Sequence, residues 1–98
     1  MSTIPRLAEL AAKAETASVE FLQTDLRVCF TFVELAGTEA SLGDTSAARR
    51  TLGKAKDRVG TIIRFQAALQ DVEKREEIGR ELVRLQRAID VADAGLPS

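Results

Sequence analysis

Residues 32–60 read FVELAGTEASLGDTSAARRTLGKAKDRVG, and this stretch decides the fold. Its spacing predicts two helices folded back on each other across the corner Leu42-Gly43-Asp44-Thr45-Ser46. Before the corner, Phe32, Leu35 and Ala36 fall at helical spacing. After it, Ala48, Leu52 and Ala55 do the same, in four- and three-residue steps that place them on one face. Gly43 suits the end of the first helix, where a glycine tolerates the left-handed turn. Asp44, Thr45 or Ser46 then supplies a side-chain oxygen to cap the second.

Upstream lies the most apolar run, VCFTFVELA at residues 28–36. A short run of this kind fits a buried strand by pattern alone, but the helical pattern continues from Leu26 to Ala40 without turn residues. A helix that is apolar all round needs cover on several sides, either inside a bundle or at a subunit interface. Gly37 is read as allowing close packing here. Earlier still, Ser2 or Thr3 is expected to cap a helix with Pro5 in its first turn. Ile4, Leu7, Leu10, Ala11 and Ala14 form its inner stripe. Thr24 and Asp25 can cap a fresh helix, so residues 4–41 read equally well as one bent helix or as two.

Downstream, the second helix is expected to run past Gly53 and Gly60, with Val59, Ile62, Ile63, Phe65 (or Ala68), Leu69 and Val72 on its apolar side. Then the phase changes: Ile78, Leu82, Leu85, Ile89 and Ala92 repeat in four- and three-residue steps, a heptad seam. Residues 73–77, EKREE, carry no apolar side chain, and a bend is placed there, with Asp71 as a cap. Ala94-Gly95 and Pro97 stop the last helix. The expectation is an all-α, antiparallel bundle of three or four helices forming one domain over residues 1–98.

At 98 residues and a net charge of −1, the chain is one domain's length and carries no bulk charge for a polyanion. Its charge is nonetheless lopsided. Residues 1–48 hold three basic and seven acidic side chains, and residues 49–98 hold eleven and eight. That asymmetry suits an acidic helix packed on a basic one. No apolar window is long enough for a membrane span. Glu9, Lys13 and Glu15 break up the N-terminal segment, which therefore does not read as a secretory signal. The single cysteine, Cys29, cannot form an internal disulfide, and a cytoplasmic setting is expected.

The available chemistry is narrow. There is no histidine, tyrosine or tryptophan, so the usual near-neutral acid–base group is missing. No phosphate-binding glycine loop, nucleophile elbow or Cys-x-x-Cys is present. Cys29, flanked by Val28 and Phe30, reads as a buried core thiol. Glu73, Glu76, Glu77 and Glu81 offer carboxylates for a divalent ion, but Lys74, Arg75 and Arg80 interleave with them, as on a solvated, salt-bridged face. No catalysis, metal or cofactor is expected.

The hairpin resembles a single tetratricopeptide repeat over about one third of the chain. The family favours a large apolar residue, Leu-Gly or Leu-Ala, a Gly-Asp turn, then Ala, a large apolar residue and Ala. Here these positions hold Phe32, Leu35-Ala36, Gly43-Asp44, Ala48, Leu52 and Ala55. Two positions depart from it: Glu39 stands at the family's late aromatic and Gly60 at its closing proline. A further copy about 34 residues on would put its turn at Glu77-Ile78 and its small residues at Leu82 and Ile89, which do not fit. The resemblance implies a helical hairpin used in protein–protein contact.

Function is therefore expected to be that of a non-catalytic interaction or structural module, self-associating as a dimer. The self-association face is assigned to Val28, Phe32 and Leu35 together with Ile78, Leu82, Leu85 and Ile89. Alternatively Arg50, Lys54 and Arg58, four residues apart on one helix stripe, bind an acidic partner. Nucleic acid is the weaker form of this reading, because no aromatic side chains are interleaved. A small-ligand pocket lined by Phe30 and Phe32 is the remaining alternative.

Overall fold

The computed structural model describes residues 3–97, with side chains from Arg6 to Pro97. Three helices follow in order, α1 (Thr3–Ser41), α2 (Thr45–Ala67) and α3 (Val72–Ala94), with no strand among the described residues. Residues 28–36 are accordingly helical. α1 is one helix through Gln23-Thr24-Asp25, and its 39 residues contain no glycine or proline between Pro5 and Gly37. Thr24 caps nothing there; its hydroxyl accepts a hydrogen bond from Arg27. The cap expected at Ser2 and the side chain of Ile4 lie outside what is described.

The corner forms as its residues dictate. Gly43 adopts φ 83°, the left-handed conformation that glycine tolerates best. Its N–H donates to the Ala40 carbonyl at 3.0 Å, and that of Asp44 donates to Glu39 at 2.9 Å. These two bonds are the Schellman pattern that satisfies the last carbonyls of a helix. Asp44 then turns its carboxylate onto the N–H of Ala47 at 3.0 Å and starts α2. α2 runs back along α1, and α3 returns along both, giving an up-down-up bundle.

Leu22, Cys29, Leu52, Ile62, Ile78 and Leu85 are the largest fully buried side chains. They come from all three helices, so one seam closes the core: Val19, Leu22, Leu26 and Cys29 of α1 against Ala55, Val59 and Ile62 of α2 and Ile78, Leu82, Leu85 and Ile89 of α3. A smaller cluster of Ala36, Ala48 and Leu52 packs near the corner. The α3 heptad seam is thus spent within the chain.

Two boundaries differ from expectation. The turn between α2 and α3 falls at residues 68–71, and residues 73–77 are the first turns of α3, where Glu73, Glu76 and Glu77 face solvent and Arg75 reaches back to the turn. Ala68-Leu69-Gln70-Asp71 contains neither glycine nor proline. The turn is held by the Asp71 carboxylate on the N–H of Lys74, by Arg75 donating to the Leu69 carbonyl at 3.0 Å, and by Gln66 donating to the Arg75 carbonyl at 2.9 Å. Glu15 of α1 ties the turn down by accepting from the N–H groups of Gln70 and Asp71. Ile63, Phe65 and Val72, expected inside, are exposed.

The second difference concerns α1. Glu15 marks the level where α2 ends and α3 begins, and residues 6–14 are all exposed. Leu7 and Leu10, read as an inner stripe, stand 58% and 54% exposed. α1 therefore projects about 18 Å beyond the other helices, at ~1.5 Å per residue. The molecule is a rod of 65 × 18 × 15 Å.

Gly37 does not serve close packing: a Cβ there meets nothing within 4 Å. Gly37→Ala is expected to raise the melting temperature by several degrees, for a gain of about 0.5–1 kcal/mol. Gly43→Ala forces a methyl into the left-handed region and should lower it by a similar amount. Thermal melts of the two variants followed by circular dichroism check both signs.

Candidate functional site

The described surface offers two features, the α2 stripe anticipated from sequence and an apolar line along α1. On α2, Arg50 and Lys54 are exposed, with no ion pair among the described residues. Arg58 is not their equal. It forms an ion pair with Asp25 of α1, which is only 5% exposed, and its guanidinium lies 5.8 Å from the centre of the Phe32 ring. This interaction is structural: a buried carboxylate gains a counter-ion, and the cation rests on an aromatic face. The expected three-residue basic stripe is reduced to two.

Of the expected self-association residues, Ile78, Leu82, Leu85 and Ile89 are buried in this chain's own core and cannot serve a partner. Val28 and Phe32 are half-buried, and only Leu35 stands exposed, at 46%. Phe30 and Phe32 do not line one pocket. Two residues apart on a helix, they point to opposite sides. Phe30 lines an open groove with Leu26, Arg27, Glu77 and Glu81 toward α3, while Phe32 sits under Arg58 toward α2.

Cys29 is fully buried, its thiol directed at the Ala55 carbonyl at 4.0 Å. Burial, reinforced by the Asp25 charge and opposed by that of Arg58, pushes the thiol up from 9.0 to about 11. Among the described residues no cluster of three His, Cys, Asp or Glu side chains could hold a metal ion, and no helix is long and apolar enough to cross a membrane.

Of the second feature, only Val28 and Leu35 are anticipated from sequence. Every seventh residue from Leu7 is apolar: Leu7, Ala14, Phe21, Val28, Leu35 and, just past the helix end, Leu42. Leu10, Ala17, Thr24, Thr31 and Thr38 lie between them, three residues on. Together they occupy the a and d positions of a heptad repeat. Apart from the half-buried Val28, every one of them is exposed. Phe21 meets the exposed Phe65 of α2 edge-on, with centroids 6.3 Å apart. Thr31 and Thr38 donate their hydroxyls to the carbonyls of Arg27 and Glu34, at 3.0 and 3.3 Å, so neither needs a polar partner outside α1. The seven-residue repeat was the available signal. The inner seam of the same helix, offset around its axis, masks it.

No family model matches the chain, and the comparisons with curated proteins and with solved structures likewise give no match.

Two outcomes follow from the interior. Arg58→Met leaves the buried Asp25 carboxylate without its counter-ion and should destabilise the chain by about 1–3 kcal/mol, less than for a fully buried pair because Arg58 is half exposed. Asp25→Asn should cost less, since Arg58 can then turn to water; urea unfolding of both variants checks the order. For Cys29, the folded state holds its proton to higher pH than the unfolded state does. Its contribution to stability is complete below pH 9.0 and is lost as pH rises toward about 11. Stability measured across that range should fall more steeply in the wild type than in Cys29→Ala.

Proposed function

We propose that this chain is a non-catalytic helical interaction module that self-associates through the outer face of α1. One observation carries the reading: a continuous apolar line on α1, with Leu7, Leu10, Phe21 and Leu35 each about half exposed, lies on a helix whose other side is anchored in a complete core. Each such side chain left in water forgoes roughly 1.5–3 kcal/mol relative to burial. Contiguous exposed apolar surface marks an interaction site, whereas apolar side chains scattered singly do not. In this reading the tetratricopeptide-like corner at Gly43-Asp44 acts as a clamp that holds α1 straight and presents it. The single cysteine, without a partner for an internal disulfide, supports a cytoplasmic setting.

Arg50 and Lys54 favour a second reading, contact with an acidic partner, since both are exposed and free of ion pairs among the described residues. Arg50→Glu with Lys54→Glu tests it without disturbing Arg58. The double variant should lose binding to polyglutamate at low salt, where such contacts are strongest.

Sedimentation equilibrium tests the main reading. The apparent mass should rise from 10.6 kDa toward twice that value over micromolar concentrations. Leu10→Glu with Leu35→Glu, both on the outer face, should hold it at the monomer mass while leaving the helical spectrum unchanged. A mass that stays at 10.6 kDa at every concentration overturns it.

A further inference from the structure

We infer that the occupant of the α1 outer face is the α1 of a second copy, running antiparallel in one specific register. This rests on the self-association proposed above and goes on to fix its geometry. The argument begins with the charges that flank the apolar line. The residue preceding each a position is the g position, and in α1 these are Arg6, Lys13, Glu20, Arg27 and Glu34. All five are exposed, and none forms an ion pair among the described residues. On the other flank stand Ala11, Ser18, Asp25, Phe32 and Glu39. Asp25 and Glu39 are already engaged in the chain, by Arg58 and by the Thr51 hydroxyl.

Flanking charges select the orientation of a helix pair. In a parallel pair each g residue faces the e residue five positions on in the second copy. That sets Glu20 beside Asp25 and Glu34 beside Glu39, both acidic, and Arg6, Lys13 and Arg27 beside the uncharged Ala11, Ser18 and Phe32, so no g charge meets an opposite one. An antiparallel pair instead sets g against g. With Phe21 opposite Thr24 of the second copy, Lys13 faces Glu34 and Glu20 faces Arg27, and twofold symmetry repeats both pairs. All four contacts are attractive. A shift of one heptad in either direction destroys this: one sets Lys13 against Arg27 and Glu20 against its own copy, the other sets Glu20 against Glu34 and Arg27 against its own copy. The first of these also brings Arg6 against Glu34, but only the central register makes every charged g–g contact attractive.

The same register also solves two packing problems. It lays the projecting residues 3–14 of each copy along residues 31–42 of the other, so Leu7 meets Thr38 and Leu10 meets Leu35. The overhang that α2 and α3 leave bare is then covered. Most layers pair a larger a residue with a smaller d residue: Leu7 with Thr38, Phe21 with Thr24, Val28 with Ala17. The exposed Phe21–Phe65 pair falls beside the twofold axis, next to its symmetry mate.

Disulfide trapping reads the register directly. Ala14→Cys and Thr31→Cys are single changes at exposed positions that oppose each other across the two copies. Cys29, buried and with its thiol pushed up to about 11, does not compete at neutral pH. Oxidation of an equal mixture of the two variants should give a cross-linked dimer, at least tenfold faster than either variant alone. In addition, Arg27→Glu should weaken the dimer about tenfold, and adding Glu20→Arg should restore it by re-forming the reversed pair. Cross-linking of either cysteine variant with itself, or a double variant no tighter than Arg27→Glu alone, overturns the register while leaving self-association standing. A wild-type mass fixed at 10.6 kDa overturns both.

Discussion

A 39-residue helix cannot be covered by two of 23 residues, and the form of this molecule follows from that mismatch. At ~1.5 Å per residue α1 is about 24 Å longer than either partner, and the α2–α3 turn at Glu15 covers part of that excess, leaving about 18 Å bare. The excess is not divided between the ends. The corner at Gly43 turns the chain immediately after Ser41, so α2 begins level with the C-terminal end of α1 and all of the overhang falls at the other end. Had the corner been a loose loop, the overhang could be shared or absorbed. The Schellman bonds and the Asp44 cap remove that freedom, so the place where α1 is bare is decided some thirty residues away from it.

The other end of the bundle is fixed by polar contacts. Glu15 receives the N–H groups of Gln70 and Asp71, the two backbone donors that the turn would otherwise leave to solvent. Asp25 and Arg58 lock α1 to α2 midway, and Lys56 and Asp93, 3.2 Å apart, join α2 to α3 near the far end. The acidic first half and basic second half of the chain are partly explained by these contacts: Asp25 of α1 binds a cation of α2, and Glu39 accepts from Thr51. Exposed pairs such as Lys56–Asp93 contribute little free energy. Their consequence is registration, since a helix sliding by one turn would break several of them together.

Elements governed by local chemistry were legible in the sequence. The corner was, because glycine, aspartate and a run of alanines act within five residues of one another. The α3 seam was too, although its destination was not: a heptad of Ile78, Leu82, Leu85 and Ile89 looks the same whether it faces α1 or a second chain. The α2–α3 turn was misplaced for a similar reason. Ala68-Leu69-Gln70-Asp71 carries no breaker and is a turn only because Glu15, Gln66 and Arg75 satisfy its backbone, all contacts made after folding. The continuity of α1 across Thr24 was undecidable locally, because a threonine–aspartate pair serves as well inside a helix as at its start.

The run at residues 28–36 shows how two surfaces can be superimposed on one helix. Its apolar side chains belong to two different seams. Cys29, Val33 and Ala36 turn toward the core, while Val28 and Leu35 belong to the outer line; Phe32 lies between them under Arg58. A straight α-helix with a strict seven-residue repeat drifts by about 20° per heptad. The outer line therefore winds slowly around α1 relative to the inner one. Near Leu7 the helix has no neighbour to compete for it, and near Leu35 the line has rotated clear of α2. This drift lets one helix carry a core seam and a separate exposed apolar line without either obstructing the other. The line itself therefore traces a slow left-handed path along α1.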